Sequence, residues 1–276
     1  MKIHPILKGT LVIVGIVGVS FLLKTILVPK TKQSPQQGAA TTGDNKSSSQ
    51  TGQKGIVSII FDDEDPTIYS EGFTRMRALG LKGTNYINSS SIGKPGSLTK
   101  KQVQEMYDAG WTIGNHGKIH WDLTKRSDQE VIDIAKQGEE AIIKNGWPRG
   151  ADDFCPPFNA INDHVRELIA PYVFSLTNDK EDLNTLPVDI RNISRKGVAN
   201  NPPAVVKNWI DQAIKNGEYL HLNFHKIGIG NTVDYRAEDF QSVMDYIAQK
   251  QKEGTLEVMT MDEFSHSSYA TNTRAL

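Results

Sequence analysis

From residue 55 onward the chain predicts an α/β fold, a distorted (β/α) barrel of about seven units, and three observations carry that expectation. Short apolar runs alternate with longer segments whose apolar residues recur every three or four positions, the pattern of strands that feed crossover helices. The composition, 38% hydrophobic and 23% charged, is that of a globular chain able to bury a core. About seven such strand–helix units fit in roughly 215 residues, which implies a parallel sheet closed into a barrel or nearly so, and no internal sequence repeat is evident. Ahead of the barrel the chain predicts one transmembrane helix and a disordered linker.

Residues 1–8 form a short basic N-terminus. Between Gly9 and Val28 only Lys24 is charged, and twenty helical residues cover roughly 30 Å, the thickness of a bilayer's hydrocarbon core. Residues 9–28 therefore predict a transmembrane signal-anchor helix, with Lys24 near one end, where its stem can reach toward headgroups. Residues 29–54 are rich in Gln, Ser, Thr and Gly and hold almost nothing that could fill a core. They predict a disordered tether.

Residues 56–61 read as a buried strand, 69–79 as a helix ended by Gly80, 83–87 as a strand, 100–109 as a helix stopped by Gly110, and 112–115 as a strand. Residues 127–145 form the longest helical stretch, with Ser127 as its N-cap and Glu130 in capping-box position. Further strands are expected at 154–156, 173–176, 219–224 and 256–260, and further helices at 163–170, 204–216 and 237–252. The domain spans 55–266, and 267–276 reads as a flexible tail.

Charge is distributed unevenly. Residues 1–54 hold seven Lys or Arg and one acid, which leaves 24 basic and 31 acidic residues in 55–276. A domain at −7 is poorly suited to gripping a phosphate backbone, so nucleic acid is excluded as a partner. Cys155 is the only cysteine. The chain therefore has no intrachain disulfide and no thiolate cluster, and Cys155 reads as a small buried hydrophobe.

The chemistry concentrates at the C-terminal ends of strands, where α/β barrels carry their sites. Asp62 and Asp63 follow the first apolar run, His116 follows 112–115 with His120 four residues on, and Pro157-Phe158-Asn159 follow 154–156. In Tyr219-Leu220-His221-Leu222-Asn223-Phe224-His225 the alternation puts His221, Asn223 and His225 on one face, with His225 at the strand end and His221 deeper in the core. One carboxylate with two imidazoles can hold a borderline divalent metal and leave a position open, while a second carboxylate serves as base. Asp152-Asp153 precedes its strand and reads as solvated. His4, His164 and His266 read as surface residues, and the four tryptophans as packing residues. Trp121, beside His120, is also a candidate for a sugar-stacking surface.

These residues carry a family resemblance. Residues 55–266 resemble polysaccharide deacetylases of the NodB homology type, carbohydrate esterase family 4. The resemblance rests on Ile60-Phe61-Asp62-Asp63, on Asn115-His116-Gly117-Lys118-Ile119-His120-Trp121-Asp122-Leu123, on Phe154-Cys155-Pro156-Pro157-Phe158 and on Asn223-Phe224-His225. The segment 217–264 is most similar to the branch that includes bacterial poly-N-acetylglucosamine deacetylases. The resemblance implies a distorted barrel that hydrolyses N-acetyl groups of a cell-surface glycan. Asp63, His116 and His120 would bind a divalent metal such as Zn²⁺, Asp62 would be the base and His225 the acid. The backbone N–H of Phe158, beside Pro157, would meet the oxyanion.

Three departures accompany it. Glu64 stands where many members have Gly, Cys155 stands where an arginine is usual, and a later Asp-Trp motif is absent. Arg191 or Arg195 could supply the missing positive charge. Together with residues 9–28 the resemblance implies a single-pass protein of the cell membrane with its catalytic domain outside. The alternatives are a catalytically inactive glycan-binding protein of the same fold and a metal-dependent hydrolase of another amide or ester. Oligomeric state, glycan and metal stay open.

Overall fold

The computed structural model describes residues 54–199, 201–229 and 234–272. The predicted membrane helix at 9–28 and all of the predicted linker except Lys54 lie outside the described residues. Among the described residues no helix is long and apolar enough to cross a membrane.

The strands are β1 (Gly55–Asp62), β2 (Thr84–Ile87), β3 (Thr112–Asn115), β4 (Asp153–Phe154), β5 (Ser175–Leu176), β6 (Val188–Asp189), β7 (Lys196–Gly197), β8 (Tyr219–Phe224), β9 (Lys226–Gly228), β10 (Asp234–Arg236), β11 (Leu256–Val258) and β12 (Ala270–Thr271). Between them run α1 (Thr74–Ala78), entered through a π turn at Ile68–Phe73, α2 (Lys100–Asp108), α3 (Asp128–Lys144), α4 (Asp163–Ile169), α5 (Pro203–Asn216), α6 (Ala237–Lys252) and α7 (Met261–Ser265). The main sheet is parallel throughout, in the order β5-β4-β3-β2-β1-β8-β7, with β11 also paired to β1.

β1 is buried along its whole length, as a central parallel strand covered on both faces must be. Val57, Ile59 and Phe61 pack outward, where Trp111, Phe224 and Phe240 join them. Ile56 and Ile60 point inward with Tyr86, Cys155 and Tyr219. Asp62 shares that inward parity and ends the strand, so the period of two delivers its carboxylate to the mouth of the barrel. The same rule turns Tyr219, His221 and Asn223 of β8 inward.

The barrel closes through a segment that the sequence pattern did not mark as strand. Ile190 O accepts from Leu176 N–H at 2.7 Å, and Ile193 O accepts from Asn178 N–H at 2.8 Å. A few residues on, β7 pairs with β8. Residues 190–197 thus bridge the open edge at β5 to β8, on rungs too short to show alternation. Asn184 fixes the segment by accepting from Ser194 N–H and donating to Ser194 O, both at 2.8 Å.

Two further expectations are corrected. Asp153 is not solvated: it begins β4, is fully buried and accepts from Ser175 Oγ–H at 2.6 Å. The expected tail at 267–276 is ordered in part, because Ala270–Thr271 pairs with Val188–Asp189 and Tyr269 packs on the inner cluster. Helix α3 carries its predicted capping box. The strand expected at 256–260 stops at Val258 because Thr260 caps α7 instead.

Candidate metal centre and active site

Asp63 leaves β1 with φ 70°, in the left-handed region. Such backbone is costly for a residue with a Cβ and tends to persist where its surroundings over-determine it. Here the Asn85 side chain donates to Asp63 O at 2.8 Å and to Phe61 O at 3.1 Å. The turn swings the Asp63 carboxylate away from Asp62 and toward the histidines. Oδ1 lies 3.3 Å from His120 Nε2 and 3.7 Å from His116 Nε2.

His116 is the first residue after β3 and is buried. Its Nδ1 lies 2.6 Å from Cys155 O. A carbonyl can only accept, so Nδ1 carries the proton and the Nε2 lone pair faces Asp63. His120 lies not on a helix but on the loop beyond Gly117, whose φ of 85° turns the chain. Its ring meets the Phe158 ring edge-on, centroids 4.1 Å apart.

These donors fit a divalent cation. Ligands about 2.05 Å from a tetrahedral ion stand roughly 3.3 Å apart, close to the spacings found. Burial, with His120 and Arg195 adding to it against Asp62, holds the His116 imidazolium down to about 4, so the ring is neutral and able to ligate. Burial likewise lowers His120. Asp63 is pushed up to about 6 by burial and by the Asp62 and Glu64 carboxylates, a site short of positive charge. A second grouping, Asp62 with His116 and Cys155, is also close enough for an ion. It suits one less well, because burial pushes the Cys155 thiol up and the Arg195 guanidinium already lies 2.9 Å from Sγ.

Of the two arginines, Arg195 reaches Asp62 and Arg191 does not. Arg195 Nη1 donates to Asp62 Oδ2 at 2.6 Å, with side-chain exposures of 9% and 1%. Burial alone would raise the Asp62 carboxyl, but Arg195, with His116 and His225, more than offsets it and leaves it well below the usual carboxylate range. Arg191 turns outward to Ala170 O and Asn272 Oδ1. The guanidinium packs against the small Cys155 side chain, with Nη1 2.9 Å from Sγ.

His225 follows β8 with Nε2 3.9 Å from Asp62 Oδ2. Phe158 has φ 58° and is 66% exposed, next to the buried Pro157. A cleft of about 380 Å³ joins Asp62, Asp63, His116, His120, Phe158 and His225. His221 is buried, Nδ1 3.2 Å from Tyr219 Oη, and burial lowers it to about 3. Trp121 offers less stacking surface than its position promises, since Arg126 covers one face at 4.2 Å.

Sequence reasoning missed Asn85 and Asn88. Asn88 is buried and donates from Nδ2 to Asp63 Oδ1 and to Glu64 Oε2, both at 3.3 Å. Its signal was available: it directly follows β2, at the same end of the sheet as the other site residues.

Comparison with known proteins finds related sequences and a related fold. The sequence model of the polysaccharide deacetylase family matches residues 49–174. A poly-beta-1,6-N-acetyl-D-glucosamine N-deacetylase of Staphylococcus epidermidis is 29% identical over 175 residues, 56% of this chain and 59% of that protein. A peptidoglycan-N-acetylglucosamine deacetylase of Listeria monocytogenes is 27% identical over 128 residues, 46% of this chain and 26% of its own length. The chain thus spans less than two thirds of either relative. A family 4 carbohydrate esterase from Streptomyces lividans, solved with acetate, shares the fold with TM-score 0.52 at 19% identity, over 74% of this chain and 91% of that one.

Proposed function

We propose that this chain, whose residues 49–174 match the sequence model of the polysaccharide deacetylase family, is a metal-dependent hydrolase that removes N-acetyl groups from a cell-surface glycan. The observation that carries the reading is the convergence of Asp63, His116 and His120 at one point, beside a buried Asp62. The substrate is a polymer of N-acetylglucosamine or peptidoglycan, in keeping with the names of the two curated relatives. We place the domain outside the cell, held to the membrane by residues 9–28, whose composition supports a spanning helix.

Asp63, His116 and His120 would hold the cation, zinc being the first choice for two imidazoles and a carboxylate. A bound divalent cation lowers the pKa of water toward neutrality and polarises the acetyl carbonyl. Asp62 takes the proton of the attacking water as its oxygen bonds to the acetyl carbon. Arg195 donates to Oδ2 of Asp62, and the Cys155 thiol stands 3.7 Å from Oδ1. The Phe158 N–H donates to the acetyl oxygen as charge builds on it, a type of contact commonly worth about 3 to 4 kcal/mol. His225 gives a proton to the amide nitrogen as the C–N bond breaks, and acetate and a free amine leave. The Arg195 contact favours the ionised form of Asp62 that a base requires.

The test is acetate release by the full chain from β-1,6- and β-1,4-linked N-acetylglucosamine oligomers and from peptidoglycan, after metal removal by a chelator and after zinc is restored. Release that stops with chelation and returns with zinc supports the proposal. Absence of release from every glycan by zinc-loaded protein would instead favour an inactive glycan-binding protein. Release only from non-glycan amides or esters would favour a different hydrolase.

A further inference from the structure

Glu64 stands beside the proposed cation site, and its carboxylate is engaged. Oε2 accepts from the Asn88 backbone N–H at 3.0 Å and from Asn88 Nδ2 at 3.3 Å, while Glu64 O accepts from Leu98 N–H at 2.7 Å. The same Asn88 Nδ2 lies 3.3 Å from Asp63 Oδ1, the oxygen that faces both histidines. Among the described residues Asn88 Oδ1 has no hydrogen-bond partner, and the side chain is 1% exposed. That asymmetry fixes the amide's orientation. Turned over, it would set an acceptor against two carboxylates and bury its NH₂ without a partner.

We infer that Asn88, clamped by Glu64, is a positioning residue that aims the Asp63 carboxylate at the cation. Asp63 sits on a left-handed turn after its strand, so no ladder or helix restrains its side chain. Asn85 pins the Asp63 backbone and Asn88 restrains the carboxylate, and β2 or the residue directly after it supplies both. Glu64 in turn ties Asn88 through two donors, so neither the amide nor the loop that carries it can swing away. The inference gives Glu64 a purpose in this chain: it holds the residue that holds the ligand. It rests on the reading of Asp63, His116 and His120 as the cation site. Hydrogen bonds of this outer kind commonly change metal affinity by about 10- to 100-fold.

The competing account of Glu64 is simple charge, since a carboxylate near the site attracts a cation whether or not it touches Asn88. Glu64→Gln separates the two, because the glutamine carbonyl still accepts from Asn88 while the charge is gone. Zinc affinity of the full chain is measured by competition with a chromophoric chelator, and melting of each metal-free variant reports folding. Asn88→Ala and Glu64→Ala are each expected to weaken zinc about 10- to 100-fold with the metal-free fold retained, and Glu64→Gln to stay within about threefold of wild type. In the Asn88→Ala background, Glu64→Ala should add little. Wild-type affinity in Asn88→Ala, or a loss in Glu64→Gln equal to that in Glu64→Ala, overturns the inference. If His116→Ala binds zinc as wild type does, the cation site itself has been misread, a failure distinct from that of the clamp.

Discussion

Removing Arg195 should show how tightly the closing segment of the barrel is tied to the proposed base. In Arg195→Ala the Asp62 carboxylate, 1% exposed, loses a guanidinium nitrogen at 2.6 Å. A buried charge stripped of its partner costs about 3 to 5 kcal/mol. Asp62→Asn orphans the guanidinium instead and should cost a similar amount. The double variant leaves neither charge stranded, so its cost should fall below the sum of the single costs by at least ~2 kcal/mol. The assay is urea unfolding at pH 7.5 with a chelator present, so that metal binding does not contribute. The pH dependence follows. In wild type the depressed Asp62 pKa adds stability above about pH 4 that is lost as pH falls. In Arg195→Ala, burial acts with less opposition and raises that pKa, so the deficit against wild type is largest at neutral pH and shrinks in acid. Costs that add to within about 0.5 kcal/mol would refute the coupling.

The remaining predictions concern other parts of the fold. Burial holds Asp153 up at about 7, against the Ser175 hydroxyl and with Asp152 and Asp262 adding to it. Folding therefore favours its protonated form, and its contribution is lost as pH rises from about 4 to about 7. Asp153→Asn should melt like wild type near pH 4 and be more stable at pH 8, by at most ~4 kcal/mol. A Cβ at Gly138 on α3 would collide with Asn115 Oδ1 and stand 2.9 Å from the Gly117 carbonyl carbon. Gly138→Ala should thus lower stability by about 1 to 2 kcal/mol in urea, although alanine is the better helix former. Asp62→Asn should retain zinc and lose about 100-fold or more in acetate release, whereas His116→Ala should lose the metal, both read by metal analysis beside turnover.

The parts of the site that were legible in the sequence are those that a strand itself delivers. An inward parity ending in Asp62, and a second ending in His225, follow from a period of two and from the rule that barrel strands point their C-terminal ends at the site. The arginine could be narrowed only to Arg191 or Arg195. Arg195 lies 133 residues from Asp62, and which of the two turns inward depends on a closing segment held by single rungs and by Asn184. Asp153 looked solvated because acidic pairs usually are, and its satisfaction by Ser175 is a contact across two strands that no local pattern announces. Asn88 was missed for a different reason: the strand-end rule was applied to Asp and His and not to an amide. Where a metal ligand's orientation depends on its neighbours, the neutral donors beside it belong to the site as well.

X-ray absorption of the zinc-loaded chain tests the central claim most directly, because it reports the atoms bound to the ion. Two imidazole nitrogens and a carboxylate oxygen at about 2.0 to 2.2 Å, with no sulfur, are expected, and His116→Ala should abolish the signal. A sulfur neighbour near about 2.3 Å would move the ion to Cys155 and Asp62 and contradict the account.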